Sequence, residues 1–231
     1  MIAMTRNFFQ STYNKQKLFN LLGVNIIAIV DYGCGNLYSL QCSLNFLNLK
    51  STITSDPEVI KSADKIILPG VGAFGDAVKL LRESGLDSIV KTEAEKGKYI
   101  LGICLGMQLL FKKSYEYGEH TGLGLIKGEV HPLSNDIKGD LKIPHMGWNA
   151  LNIKDINDPI FKYTKNGDYV YYVHSFYAKN CDKALLATSD YEVSVAGLVK
   201  SKNVYGAQFH PEKSGDVGLN LLKAFAELED R

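Results

Sequence analysis

The stretch Tyr99-Ile100-Leu101-Gly102-Ile103-Cys104-Leu105-Gly106-Met107-Gln108-Leu109-Leu110 sets one thiol between two glycines and two apolar runs. This is the layout of a nucleophile elbow. A buried strand ends, a tight turn presents one side chain, and a helix begins. Glycines on both sides let strand, helix and substrate crowd that residue. Cys104 therefore stands where a nucleophile would stand. A cysteine in an apolar run is equally at home as a buried core residue, so the rest of the chain has to supply a base and an oxyanion site.

A thiol nucleophile needs a partner that makes or stabilises the thiolate. His210 is the best candidate among five scattered histidines, although the others could serve as bases on sequence grounds. It follows the apolar run Val204-Tyr205-Gly206-Ala207-Gln208-Phe209 and so sits at a strand end, where the sites of α/β sheets collect. Pro211 keeps the next residues extended or turned. In an extended chain residues two apart share a face, which lets Glu212 lie beside His210. A carboxylate there would hold the imidazole in one tautomer and stabilise its charged form. The elbow places the Leu105 N–H close to the thiolate as one oxyanion donor. A second could come from Gly70, Val71 or Gly72 in the glycine-rich loop that leaves a neighbouring strand, a loop that an ordinary βα connection would also explain. Together these parts describe Cys-His-Glu acyl transfer.

Alternating elements are needed to bring these residues together. The apolar run Asn25-Ile26-Ile27-Ala28-Ile29-Val30-Asp31 reads as a strand buried on both faces. Leu37, Leu40, Leu44 and Leu47 follow at helical spacing after a Gly33-Cys34-Gly35-Asn36 turn. A second strand is expected near residues 51–54, then a short helix opened by Asp56-Pro57-Glu58. Lys65-Ile66-Ile67-Leu68 is a third strand. Helical spacing resumes through Ala77, Leu80 and Leu81 and onward from Leu86 to Ala94. The expected fold is α/β: a doubly wound, mostly parallel central sheet flanked by helices. After Gly118 the texture changes to short β segments, including the tyrosine-rich stretch 168–177 and two strands joined around Ser201-Lys202. A last helix carries Leu219, Leu222, Ala224, Phe225 and Leu228. With no internal repeat or Pro/Ser linker, residues 24–231 read as a single domain.

Composition narrows the partners. The chain has 231 residues, 45% of them hydrophobic, enough for a substantial core. Its 26 basic and 25 acidic residues nearly cancel, which favours neither nucleic acid nor an anionic membrane. The four cysteines form no C-x-x-C pair and the histidines complete no metal-ligand spacing, so neither a metal nor a cofactor is expected. Few cysteines at this length suit a reducing, cytoplasmic setting. Leu18 to Val30 is mostly apolar, but Asn20 and Asn25 interrupt it and no small-x-small cleavage site follows, so it reads as the approach to the first strand instead of a leader.

Pro69-Gly70-Val71-Gly72, the elbow and His210-Pro211-Glu212, in that order, resemble the class I (triad) glutamine amidotransferases. More narrowly, Asp31-Tyr32-Gly33-Cys34-Gly35-Asn36, Pro144-His145-Met146-Gly147-Trp148-Asn149 and Tyr172-Val173-His174-Ser175-Phe176-Tyr177 resemble the glutaminase subunits of imidazole glycerol phosphate synthases. The resemblance runs from about Asn25 to the C-terminus and implies a flavodoxin-like sheet. It implies that Cys104 attacks the side-chain amide of glutamine, that His210 moves protons and that Glu212 orients it. It implies that Gln108, with Gly72 and backbone around His174 and Ser175, holds the substrate. It implies that ammonia passes to a (β/α)8-barrel synthase subunit, with Asn36, Trp148 and Lys213 at that interface, for histidine biosynthesis. Relatives of this kind begin close to the first strand, so residues 1–23 read as an extension, expected to be a mis-called start or a disordered tail.

Other readings stay open on residues alone. A cysteine hydrolase or chaperone-like protein of related fold also uses a Cys elbow, but Gln108 and the Cys-His-Glu order favour glutamine. A non-enzymatic regulatory subunit would not need an intact triad. A paralogous glutaminase could serve a synthase that amidinates a surface-sugar precursor, because the acceptor binds the other subunit.

Overall fold

A computed structural model describes residues 25–229; the expectations for residues 1–23 lie outside them. The first half alternates as its apolar runs require. β1 (Ile26–Val30), β2 (Lys50–Thr54), β3 (Lys65–Leu68) and β4 (Tyr99–Ile103) are connected through α1 (Leu37–Phe46), α2 (Pro57–Ser62), and the pair α3 (Phe74–Glu83) and α4 (Leu86–Glu95). Asp56 starts α2 by accepting the Glu58 N–H at 2.9 Å, with Pro57 in the first turn. Gly85, at φ 72°, separates α3 from α4. Every residue of β1 and β3 is buried, as continuous apolar runs demand, whereas the edge strand β2 is half-buried.

The main sheet has eight strands in the order β2-β1-β3-β4-β14-β13-β12-β9. The pairs from β2 through β14 (Val204–Ala207) are parallel. β13 (Val193–Ser201), β12 (Leu185–Tyr191) and β9 (Asn152–Ile153) extend the sheet antiparallel. The sheet is therefore mixed, with a parallel half that carries the predicted chemistry. Apolar layers cover both faces: Ile66, Leu68, Phe74, Leu81 and Val90 meet on one, and Ile29, Ile67, Leu101, Leu222 and Phe225 on the other. The last two belong to or flank the core side of the final helix, α6 (Gly215–Ala226).

Of the β segments expected in the C-terminal half, the two joined around Ser201-Lys202 are β13 and β14 of the main sheet, and others form two smaller sheets. β5 (Phe111–Ser114), β6 (His120–Thr121), β7 (Ile126–Pro132) and β11 (Phe176–Lys179) make one. β8 (His145–Ala150) and β10 (Tyr169–His174) pair as the other, with His145 opposite His174 and Trp148 opposite Tyr171. The change of texture starts before Gly118, because the helix after the elbow, α5 (Leu105–Leu109), is short and β5 begins at Phe111.

Candidate active site

β4 ends at Ile103, and Cys104 follows at φ 53°, ψ −111°. A non-glycine residue holds that conformation only where its surroundings enforce it. Here the Cys104 N–H donates to Ala207 O at 2.7 Å and the Cys104 carbonyl accepts the Gln108 N–H at 3.1 Å. The flanking glycines are steric necessities. A Cβ on Gly106 would lie 1.8 Å from Leu68 O, and one on Gly102 would lie 2.7 Å from Gly106 O. Helix α5 thus packs directly on the end of β3. Gly106→Ala is expected to cost about 3 kcal/mol or more in urea unfolding, at the upper end for overpacking; an unchanged midpoint would show that β3 and α5 separate freely.

β14 lies beside β4 with Ala207 opposite Ile103, so Gln208 and His210 leave the sheet next to Cys104. His210 is fixed on three sides. Its N–H donates to Tyr171 O at 2.9 Å, its carbonyl accepts the Ser214 hydroxyl at 2.7 Å, and its Nδ1 bonds Glu212 Oε1 at 2.8 Å. Residues Pro211–Lys213 form a 3-10 turn. Glu212 therefore reaches His210 by a turn and not along extended chain, because the proline φ suits the opening of such a turn. Burial disfavours the imidazolium, but hydrogen bonds with Cys104 and Glu212 outweigh it and raise His210 to about 10. An imidazolium here favours a thiolate beside it and holds a proton ready for a leaving group.

A cavity of about 440 Å³ opens over Cys104. Of the residues singled out from sequence, Val71, Gly72, Leu105, Gln108, His174, Ser175, His210 and Lys213 line it. Gly70 does not. It is packed where a Cβ would lie 2.7 Å from Gly106 N and 2.8 Å from the Tyr32 hydroxyl. With Asn36 and Glu212 it lines instead a cavity of about 10 Å³ behind the loop. The Tyr32 hydroxyl donates to Pro69 O at 2.8 Å, and burial keeps that hydroxyl protonated by pushing its pKa far up. The loop is thus anchored at residues 69–70, whereas Gly72, at φ 93°, has open space around its Cα. Trp148 lies outside the cavity, 52% exposed, with its ring 5.8 Å from that of Tyr171.

Gln108 donates through Nε2 to Phe176 O at 2.9 Å and to Gln208 Oε1 at 3.1 Å. Both amide protons are used, so its Oε1 is what it offers a ligand. Gln208 was not singled out from sequence, yet it is fully buried and its Nε2 lies 3.8 Å from Cys104 Sγ. Strand alternation held the signal, since residues 208 and 210 share a face. Glu116 also lines the cavity and accepts the Phe74 N–H at 2.7 Å; burial raises its carboxyl. No spacing rule pointed to it, because it follows the short β5 in irregular chain. Among the described residues no group of three or more His, Cys, Asp or Glu is placed to hold a metal ion.

A model of the family described as "Glutamine amidotransferase class-I" matches residues 28–227. The chain belongs to the class-I glutamine amidotransferases. This amidotransferase is 48% identical over 204 residues to the imidazole glycerol phosphate synthase subunit HisH of Oceanobacillus iheyensis, covering 88% of this chain and 99% of that protein. It is 48% identical to the protein of the same name from Caldanaerobacter subterraneus subsp. tengcongensis, over 88% of this chain and 98% of that one. In shape the amidotransferase is similar to a solved structure described as PurLQS from Thermotoga maritima, with a TM-score of 0.68 at 21% identity over 87% of this chain and 97% of that chain. That likeness supports the α/β fold. No helix among the described residues is long and apolar enough to cross a membrane.

Proposed function

We propose that this amidotransferase is the glutaminase subunit of an imidazole glycerol phosphate synthase, acting in histidine biosynthesis. One observation carries the assignment within the family: nearly full-length identity of 48% to proteins named as that subunit. The geometry supports the chemistry. The Cys104 sulfur attacks the side-chain carbonyl carbon of glutamine. The oxygen gains charge opposite the Leu105 N–H, the first of α5 and without an acceptor within its helix. A second donor comes from the open half of the loop at residues 71–72. His210 passes its proton to the leaving nitrogen, ammonia departs, and a glutamyl thioester is left on Cys104. His210, now neutral, takes a proton from water as its oxygen attacks the thioester. Glutamate leaves, and the sulfur and the imidazolium are restored. Glu212 holds His210 throughout. Gln108 Oε1 accepts from the substrate α-ammonium, beside Ser175 backbone at the cavity wall.

In this reading the ammonia goes to a (β/α)8-barrel synthase subunit in the cytoplasm, with no cofactor of the glutaminase's own. Asn36 and Lys213 flank the triad, and Trp148 supplies an exposed aromatic anchor of the kind interfaces use. Co-purification with the candidate synthase, followed by glutaminase assays with and without each acceptor, tests the assignment. Glutamate release is expected to be low in the isolated chain and to rise when the synthase binds, because only the anchored half of the 69–72 loop is fixed within this chain. Full activity without a partner would refute that account of the loop. Stimulation only by a surface-sugar synthase would reassign the pathway.

A further inference from the structure

Behind the cavity wall runs a chain of hydrogen bonds that the triad does not use. The Asp190 carbonyl accepts from Asn149 Nδ2 at 3.0 Å. That bond orients the amide, so Asn149 Oδ1 faces His145 Nε2, at 2.8 Å. His145 Nδ1 faces His174 Nε2 at 3.0 Å. His174 Nδ1 lies 2.9 Å from Phe176 O, the carbonyl that also accepts from Gln108. Both ends of the histidine pair therefore meet oxygens that only accept, and each end needs an N–H. Two neutral imidazoles bring one N–H apiece. With both used at the ends, two ring lone pairs would face each other across 3.0 Å. Three contacts require three protons.

Resting on the glutamine reading above, we infer that His145 is a positioning residue for the glutamine site and that it shares one additional proton with His174, making the pair a single buried cation. The surroundings suit a charge on His145. Its ring is stacked between Tyr191 at 3.8 Å and Tyr172 at 4.7 Å, two faces that attract a cation. Burial opposes charge on either ring, lowering His145 and, with repulsion from His145 and His210, pushing His174 down to about 3. The cation is therefore held only while both ends and the centre are bonded. The titratable groups facing the pair are His210 with Cys104 on the cavity side, Glu116 and Lys213 across the cavity, and Tyr172 and Tyr191, which meet it with their ring faces while their hydroxyls bond Ser189 and Lys142 O. Asp190 reaches it through a main-chain carbonyl alone.

The consequence lies in substrate binding. His174 immediately precedes Ser175 in the cavity wall. A cation there attracts the α-carboxylate of glutamine without touching the reacting amide. Its loss should raise KM more than it lowers kcat.

Two measurements test this. In the full chain with 15N-labelled histidine, three of the pair's four ring nitrogens should resonate as protonated at pH 7. Two protonated and two bare nitrogens would overturn the shared proton, whether or not the enzyme turns over glutamine. His145→Phe keeps a ring between Tyr172 and Tyr191 and removes both hydrogen bonds. Assayed with the synthase subunit, it should raise KM for glutamine about tenfold, the scale of one unit charge acting across about 10 Å at an effective dielectric near 20. It should also remove the rise in KM with increasing pH expected of the parent enzyme. An unchanged KM with an unchanged pH dependence would refute the positioning role. Absence of glutamine turnover in the parent complex would refute the functional reading and leave the nitrogen count standing.

Discussion

Cys104→Ala should abolish glutamine-dependent turnover, by at least about 10⁴-fold, the scale seen when a nucleophile acting in concert with its base is removed. The same variant, bound to the synthase subunit, should still support product formation from free ammonium. The reasons are local. The elbow holds Cys104 at φ 53° with its side chain at the cavity, and alanine retains the backbone bonds to Ala207 and Gln108. Folding and partner binding should survive. Glutamate release at the parent rate would show that the nucleophile lies elsewhere. Loss of the ammonium-driven reaction as well would show that the thiol is needed for assembly.

Glu212→Gln should cost about 10³-fold or more in kcat with little change in KM, as when the orienting carboxylate of a triad becomes an amide. Glu212 is the buried partner of His210 Nδ1 at 2.8 Å, its side chain 3% exposed. The pH dependence gives a separate reading. His210 is raised from its ordinary value near 6.5 to about 10, so the folded state holds that proton where the unfolded chain has released it. The stabilisation is complete below about pH 6.5 and is lost as pH rises through about 10. Cys104 still raises His210 in the variant, but with the Glu212 charge gone and burial opposing the imidazolium, its pKa falls. The variant should therefore lose less stability than the parent between pH 6.5 and 10, and the alkaline limit of kcat/KM should move down. Equal losses in urea unfolding across that window would show that Glu212 does not hold the charge.

The parts most legible in the sequence were those that local sterics dictate. The glycines around Cys104 announced a turn too crowded for a Cβ, and the 1.8 Å approach at Gly106 is that crowding. The parallel strands were legible because burial on both faces leaves unbroken apolar runs such as Ile26–Val30. What escaped depends on contacts between distant residues. Gly70 and Gly72 are equivalent in the sequence, yet only Gly72 faces the cavity, because Tyr32 pins the peptide before Gly70. The hairpin of β13 and β14 around Ser201-Lys202 was read from the sequence, but its insertion beside β4 and the extension through β12 to β9 depend on contacts between distant residues. Gln208 stood in plain view at the end of a strand, and its nearness to the sulfur required β14 to lie against β4.

That placement of β14 also has a consequence in time. Gln208 and Cys104 are 104 residues apart in the chain, yet β14 is an interior strand, flanked by β4 on one side and β13 on the other. A ribosome releases the elbow first and the strand that leads to His210 only after about a hundred further residues. The half-made protein has a cysteine but no site, because nothing yet occupies the gap beside β4. The growing chain thus stays unable to split glutamine until β14 has emerged and paired with β4, and the capacity to make ammonia arrives with that strand.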